Sequence, residues 1–340
     1  MGVASTSPCR LRQRFALPLP LPLVFGSKAC TPPLAASAVA VGNFDGVHLG
    51  HAAIASRLRQ AADEAGVSAI ALTFDPHPAA IVRPDAAPTP LTTPTRRADL
   101  LLALGLDAVL VQPTDAALTT LSPRAFYEEI LRGRLAAVAI VEGNDFRFGA
   151  GRAGDVPLLT QLAAADGAVV EVVEPVVIDG EPVSSSRLRR LVAAGEVAAA
   201  ASLGTAAHRA TGKVVVGARR GTGLGFPTAN LAEISTLLPA AGVYAAEVAV
   251  AGSQEPRRYA AAVHIGPAPT FESSAVTVEV HLIGFTGDLY GRLLDVDFLD
   301  RLRETQRFTS VEALKEQLAA DVARATRIAV VPAAAPARET

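Results

Sequence analysis

The chain has 340 residues, enough for two domains that each bury a core of their own. Half of its residues are hydrophobic, and the formal net charge of −2 comes from charges of both signs spread along the chain. This balance offers no basic surface for nucleic acid or an anionic membrane, so we expect neither as a partner. Cys9 and Cys30 both precede the first recognisable motif, which excludes a disulfide framework or a thiolate metal site in the folded body.

Residues 1–35 differ in composition from the rest of the chain. No acidic residue precedes Asp45, three arginines lie within residues 10–14, and "LPLPLPLVFG" alternates leucine with proline. The apolar run is too short and too rich in proline to cross a membrane. A transit peptide or a secretory signal is compatible with these features, but we favour a disordered or incorrectly assigned N-terminal extension of a cytoplasmic protein. Residues 329–340 predict a second disordered tail.

Residues 36–204 alternate apolar strands with helices. "SAVAVGNF", "VSAIALTF", "DAVLVQP", "AAVAIVEG" and "GAVVEVVEPV" have the composition of buried strands, and the segments between them, such as "HAAIASRLRQAADEAG", have helical spacing of apolar residues. This alternation predicts an α/β domain, a doubly wound parallel sheet with helices on both faces.

Residues 205–328 have a different pattern. Short strand-like runs, "GKVVVG", "GVYAAEVAV", "RRYAAAVHIG", "VTVEVHLIGF" and "GRLLDVDFL", are separated by glycine and proline turns, and a final helix, "SVEALKEQLAADVARATRIA", comes after a Thr-Ser cap. The pattern predicts an antiparallel β domain, closed or sandwiched, with a terminal helix.

The stretch "VGNFDGVHLGH" places His48 and His51 at a turn from a strand into a helix. In α/β sheets such turns bind phosphate, since the N-terminal end of the helix is positive. Gly50 allows the backbone to approach a ligand, and two imidazoles can stabilise charge on a phosphoryl group under attack. The alternative is a pair of partly buried histidines at a helix start. With no cysteine or third histidine nearby, the pair makes a poor metal site.

Three further unusual loops come after strands of the predicted sheet: "TFDPHP" (73–78), "EGNDFRFGAGRAGD" (142–155) and "SSSRLR" (184–189). The carboxyl ends of parallel strands share one edge, so we expect these loops to lie near His48 and His51. In the last of them, hydroxyls and helix N–H groups with Arg187 and Arg189 can hold a triphosphate, although a serine-rich helix start is often only a cap.

These four motifs, in this order and spacing, resemble the FMN adenylyltransferase module of bacterial bifunctional riboflavin kinase/FMN adenylyltransferases, a member of the HxGH nucleotidyltransferase group with a Rossmann-like fold. The resemblance continues through "GTGLGFPTANL", "PAAGVYAAEV", "HIGPAPTF" and "VEVHLIGFTGDLYG", which are similar to the riboflavin kinase module of the same family. It covers residues 38–328 and implies a closed barrel in the second module.

The resemblance implies roles in the first module. His48, His51 and Arg187 are expected to be catalytic. The expected ATP-binding residues are Asn43, Phe44, Gly46, Gly50, Ser184, Ser185 and Arg189. The expected flavin-binding residues are Asp75, Pro76, Asn144, Asp145 and Phe146.

In the second module, the resemblance implies that Glu279 is the general base for the riboflavin hydroxyl. Thr228 and Asn230 of "PTAN" supply oxygen ligands for Mg²⁺, and a glycine-rich flap with Gly217, Gly221 and Gly225 approaches ATP. Without the resemblance, Glu279 would be interpreted as an outward-facing strand carboxylate.

The chain departs from the family pattern near the kinase motifs. "GTAAH" (204–208) replaces the expected "GRPY", Val216 and Thr222 stand where the family has histidine and arginine, and Gly284 stands for aspartate. Thr228, Asn230 and Glu279 are nevertheless all present.

The sequence thus predicts an enzyme that converts riboflavin to FMN and FMN to FAD with ATP as co-substrate and Mg²⁺ as cofactor, acting as a monomer or weak homo-oligomer. One alternative is a single-activity FMN adenylyltransferase with a degenerate kinase domain. A non-catalytic flavin or nucleotide sensor would not need His48, His51 and Glu279. Cytidylyl transfer to a small phosphorylated alcohol would leave the C-terminal half unexplained.

Overall fold

The computed structural model describes residues 23–25, 35–217, 223–250, 257–267 and 276–329. The chain forms two compact units. The first contains the chain up to Pro88 together with Pro94–Pro182, and the second contains Thr89–Thr93 and the chain from Val183 onward. No helix in the described part of the chain is long and apolar enough to span a membrane.

A parallel sheet of six strands forms the centre of the first unit. The strands are β1 (Leu23–Phe25), β2 (Ser37–Val41), β3 (Ser68–Asp75), β4 (Ala108–Pro113), β5 (Ala137–Gly143) and β6 (Val169–Val173). Their order in the sheet is β1-β4-β3-β2-β5-β6, so the chain runs outward in one direction from β2 and then in the other from β5. The predicted doubly wound sheet is confirmed.

Helices connect these strands: α1 (Leu49–Ala65), α2 (Pro78–Val82), α3 (Pro94–Ala103), α4 (Ala116–Thr120), α5 (Pro123–Phe126) and α6 (Val156–Ala165). A π-helical turn, Tyr127–Arg132, continues α5, and Pro84–Ala86 and Ala150–Arg152 form 3₁₀ turns. Gly66 ends α1 in the left-handed conformation at φ 67°, as its position in the sequence predicts.

Side-chain alternation along the strands gives this sheet two buried faces. Val39 and Ile70 belong to one hydrophobic cluster, whereas their sequence neighbours Ala38 and Ala69 belong to another. Because successive residues of a strand point to opposite faces, both faces are covered, as continuous apolar strands predict. A two-stranded ribbon, β7 (Val177–Ile178) with β8 (Glu181–Pro182), was not predicted.

The second unit is built on a closed six-stranded antiparallel barrel, in the order β10-β13-β12-β11-β14-β9. Its strands are β9 (His208–Val215), β10 (Ala229–Ala232), β11 (Gly242–Val250), β12 (Arg258–Pro267), β13 (Val276–Leu282) and β14 (Leu293–Arg303). Among the described residues of this unit, the helices are α7 (Ser185–Ala194), α8 (Val197–Leu203) and α9 (Val311–Ile328). The closed barrel and the terminal helix are confirmed, and Ser310 caps α9 by accepting a hydrogen bond from the Ala313 N–H at 3.1 Å.

Several predictions fall partly or wholly outside the described residues. These include most of the N-terminal extension, the tail from residue 330, and Gly221 and Thr222 of the kinase flap. Within the extension, Leu23–Phe25 pairs in parallel with β4. The predicted domain boundary after residue 204 stays a prediction, while the compact units divide between Pro182 and Val183.

Candidate active sites

The loop after β2 lies at the point where the strand order reverses. β2 pairs with β3 on one side and with β5 on the other, so the crevice between the ends of β2 and β5 is the switch point of the sheet. Ligands of doubly wound sheets bind outside the carboxyl ends of the strands at such a point. The "GNFDGVHLGH" motif therefore occupies the position at which this fold binds nucleotides.

Strained backbone characterises this loop. Phe44 and Val47 adopt left-handed conformations with φ of 46° and 35°. Such conformations cost of order 1–3 kcal/mol each for residues other than glycine, and they persist only where the surrounding structure enforces them. Both side chains are buried in the core, which holds the loop in this shape.

His48 and His51 lie face to face at the start of α1. Their ring centroids are 3.6 Å apart with an interplanar angle of 20°, and the Phe44 and His51 ring centroids are 5.2 Å apart at an interplanar angle of 74°. His48 is the N-cap of α1, and its Nδ1 accepts a 3.4 Å hydrogen bond from the backbone N–H of His51. Both histidines lie at the turn from β2 into α1, where the sequence places them, and their catalytic role stays a prediction.

Both imidazoles are neutral at pH 7. Burial lowers the pKa of His48 to about 4, although the carboxylates of Asp45 and Asp145 oppose the shift. Burial also lowers the pKa of His51 well below its usual value, and His48 and the Arg97 guanidinium lower it further. A neutral ring donates through one nitrogen only. Since His48 Nδ1 accepts, His48 carries its proton on Nε2.

Two buried polar atoms of this loop have no hydrogen-bond partner within the described structure: Asn43 Oδ1 and His51 Nδ1. Buried polar groups are normally satisfied, so unsatisfied ones at a crevice mark a place where a ligand can bind. The predicted place of Asn43 on the nucleotide side stays a prediction.

Loops after β3 and β5 reach the same sheet edge. Asp75 ends β3 and is exposed together with Pro76, while Asn144 and Asp145 are exposed after β5. The Asp145 carboxylate is close enough to His48 to oppose, in part, the lowering of the His48 pKa by burial. Phe146 stacks on Phe148 with ring centroids 5.6 Å apart, and Asn144 donates to Glu174 Oε2 at 3.3 Å.

The "SSSRLR" motif begins α7 in the second unit. Ser184 is its N-cap and accepts from the Arg187 backbone N–H at 3.3 Å. Arg187 is buried, and Arg189 Nε donates to the Thr89 carbonyl at 3.0 Å. The helix start is confirmed, and the triphosphate clamp stays a prediction.

Three polar residues form a row across the barrel strands. Asn230 on β10 is opposite Glu279 on β13, and Glu279 is opposite His264 on β12. Their neighbours Val278 and Val280 point into the barrel core, so the row lies on its outer face. Burial lowers the pKa of His264, which Glu279 opposes. His264 could not be identified from the sequence, because its place beside Glu279 depends on strand register.

Neighbouring residues lie close to Asn230 and to Pro227, the residue before Thr228. A Cβ on Gly217 would lie only 2.2 Å from Asn230 Nδ2, so the amide occupies the space that a side chain there would need. The Nδ1–H of His281, a residue of β13, donates to the Pro227 carbonyl at 2.8 Å. This hydrogen bond joins Pro227, the residue before Thr228, to β13. Hydroxyl and amide oxygens beside a carboxylate are a donor set that fits Mg²⁺.

Three of the four departures from the family pattern lie in described parts of the chain: "GTAAH" (204–208), Val216 and Gly284. Gly284 has φ 73°, a conformation that glycine adopts without strain, and a Cβ there would meet no atom within 4 Å. Val216 is 72% exposed. Gly225 also has a positive φ, 90°.

The chain is similar to known proteins along nearly its whole folded length. The family profile "FAD synthetase" matches residues 31–187, and the profile "Riboflavin kinase" matches residues 205–329. The bifunctional riboflavin kinase/FMN adenylyltransferase of Pseudomonas fluorescens is 39% identical over 290 residues, which cover 85% of this chain and 92% of that protein. The protein of the same name from Escherichia coli strain K12 is 34% identical over 281 residues, covering 83% and 89%.

A solved structure shares the fold. A protein from Streptococcus pneumoniae described as a macrolide-efflux protein gives a TM-score of 0.78 at 28% identity, covering 90% of this chain and 99% of that chain. Both matched domains, the extent of the curated relatives and the two folds agree with the resemblance seen in the motifs. The chain belongs to the family of bifunctional riboflavin kinase/FMN adenylyltransferases, with both an FAD synthetase and a riboflavin kinase domain.

Proposed function

We propose that this protein phosphorylates riboflavin with ATP to give FMN and ADP, and then joins FMN to the AMP part of a second ATP to give FAD and pyrophosphate. One observation carries the proposal: the chain holds the stacked His48–His51 pair at a sheet switch point and the Asn230–Glu279 pair on a barrel. A single-activity adenylyltransferase would have no use for the second pair, and a sensor would need neither.

In the adenylyl transfer, a phosphate oxygen of FMN attacks the α-phosphorus of ATP in line, and pyrophosphate leaves. No covalent bond to the protein forms, so catalysis consists of positioning and of charge stabilisation. His48 and His51 are neutral donors at the helix N-terminus and would receive the phosphate oxygens. Arg187, with Ser184, Ser185 and Arg189, would hold the triphosphate.

The remaining groups of the first module would position the two substrates. Asn43, Phe44, Gly46 and Gly50 would line the nucleotide, and the unsatisfied Asn43 Oδ1 supports this assignment. The loops after β3 and β5 would hold the flavin, through Asp75, Pro76, Asn144, Asp145 and Phe146. The placement of these loops at one sheet edge supports this division.

In the kinase step, the Glu279 carboxylate would take the proton of the riboflavin 5′-hydroxyl as that oxygen attacks the γ-phosphorus and ADP leaves. Thr228 and Asn230 would hold Mg²⁺ together with the ATP phosphates, and the bound ion would neutralise charge developing on them. Gly217, Gly221 and Gly225 would bring flap backbone close to ATP.

We further propose that the protein works in the cytoplasm as a monomer or weak homo-oligomer, with small molecules as its only substrates. Neither nucleic acid nor a membrane is expected to take part. The net charge of −2, spread along the chain, supports this proposal.

A product analysis tests the two activities. Purified protein is incubated with riboflavin, ATP and Mg²⁺, and flavins are separated by chromatography. FMN followed by FAD is the expected result. FAD formed only from added FMN would support the single-activity alternative, and no turnover with either flavin would support the sensor.

Two substitutions separate the sites. His51→Ala should lower FAD formation by ~10²–10³, as for loss of a group that stabilises transition-state charge, while FMN still accumulates. Glu279→Gln should stop FMN formation but leave conversion of added FMN to FAD unchanged. Glu304→Gln, at an exposed position of the second unit, is the matched control. Equal loss of both activities in either variant would contradict the two-site proposal.

A further inference from the structure

Arg97 is a buried arginine on α3 that none of the sequence motifs includes. Its side chain is 7% exposed. Its Nη1 donates to Thr73 Oγ1 and to the Phe74 carbonyl, both at 3.0 Å, and its Nη2 lies 3.8 Å from Asp45 Oδ1. Burying a guanidinium is costly unless it is paired and hydrogen-bonded, so each of these contacts matters to where it lies.

These contacts connect Arg97 to two residues of the "GNFDGVHLGH" loop, Asn43 and Asp45. Thr73 Oγ1 accepts from Arg97 and donates to the Asn43 carbonyl at 3.1 Å, while Asp45, two residues later, pairs with Arg97 directly. Between them lies Phe44, whose left-handed backbone needs support from its surroundings. Arg97 thus braces the strained segment that precedes His48.

The same guanidinium places a positive charge beside the histidine pair. Burial is the main cause that disfavours protonation of His51, and His48 and then Arg97 on α3 add to it. His48 is surrounded by the carboxylates of Asp45 and Asp145, which favour protonation but do not overcome burial. Within the Asp45–Arg97 pair, the carboxylate therefore raises the pKa of His48 and the guanidinium lowers the pKa of His51.

We infer that Arg97 is a positioning residue for adenylyl transfer: through Thr73 and Asp45 it fixes the loop that presents His48 and His51. Its charge adds to the burial that keeps His51 neutral. This inference rests on the proposed function of that pair. Arg97 acts on the histidine pair through Thr73 and Asp45.

Two variants separate its charge from its hydrogen bonds. Arg97→Met removes the charge and keeps much of the volume, so His51 should become easier to protonate and the FMN-to-FAD rate should fall at least ~10-fold, with a larger loss at acid pH. Thr73→Val keeps the charge and removes the link to Asn43. It should lower the rate without changing the His51 titration.

Histidine titration by NMR of the isotope-labelled protein provides a readout that does not depend on activity. The His51 resonance should titrate at higher pH in Arg97→Met than in wild type, and Arg97→Lys should restore most of the difference. The kinase step of the same samples, together with their melting temperature, controls for misfolding. An unchanged His51 titration with an unchanged pH–rate profile in Arg97→Met would overturn the inference.

Failure of wild type to make FAD from FMN would instead overturn the proposed function, and the titration would still test Arg97.

Discussion

Glu142 is a buried carboxyl in the sheet beneath the nucleotide site, and its replacement by glutamine should stabilise the first unit at neutral pH. The side chain is 2% exposed, and Oε1 accepts a 2.7 Å hydrogen bond from the Val41 N–H. Burial raises the pKa of Glu142 well above its usual value, and the hydrogen bond only partly opposes this. A neutral amide side chain at this position would keep the acceptor for Val41 without the ionisable proton.

The sign and size of the effect follow from linkage. Above pH 4.5, the usual value, Glu142 is ionised in the unfolded chain but still protonated in the folded one, so the folded state binds more protons. The contribution of Glu142 to folding stability is therefore fully present below pH 4.5, and it is lost as the pH rises towards the raised pKa. Each pH unit costs ~1.4 kcal/mol, so the loss between pH 4.5 and pH 7 is at most roughly 3–4 kcal/mol.

Hydrogen exchange detected by mass spectrometry can measure this locally, which avoids assuming a two-state transition for a two-unit chain. Peptides covering β2 and β5 should exchange at similar rates in Glu142→Gln and wild type at pH 5, after correction for intrinsic rates. At pH 7 they should be more protected in the variant. Glu64→Gln, at a side chain that is 66% exposed, is the control. Identical pH dependence of Glu142→Gln and wild type would refute a protonated Glu142.

Two further substitutions test the second unit. Gly217→Ala should abolish most kinase activity and spare adenylyl transfer, since its Cβ would lie 2.2 Å from Asn230 Nδ2; equal loss of both activities would contradict the local clash. Leu91→Ala should destabilise this unit by ~2–5 kcal/mol in a denaturation experiment, because Leu91 is 2% exposed within Thr89–Thr93, which belongs to this unit. Leu293→Ala, at a 47% exposed position, is its control, and similar effects of the two would contradict the argument.

The elements that could be predicted from the sequence are those with a local signal. The continuous apolar runs of β2 and β3 indicate strands buried on both faces, and Gly66 and Ser310 mark helix ends by their own backbone and hydrogen-bonding preferences. The position of His48 and His51 could be predicted because a strand, a turn and a helix are adjacent in sequence.

Elements fixed by distant partners could not be predicted. β10 (Ala229–Ala232) has four residues and no clear alternation, and it is a strand because β9 and β13 pair with it on either side. Arg97 carries no motif, and its role depends on α3 packing beside the ends of β2 and β3. The assignment of Thr89–Thr93 to the second unit likewise has no local signal in the sequence.

The two candidate sites differ in predictability for one physical reason, which their glycines show. In the first site, a Cβ on Gly42 would lie 3.2 Å from the ring of Phe44, two residues later, and that ring meets His51 at 5.2 Å. The tight space at Gly42 therefore arises from residues of one short motif. In the second, Gly217 must lack a side chain because Asn230 occupies the space, and the two are brought together only by the path of the barrel. The residue that crowds Gly42 is a close neighbour in the sequence, so the sequence alone suggests the contact. The residue that crowds Gly217 is distant in the sequence, so only the fold identifies it.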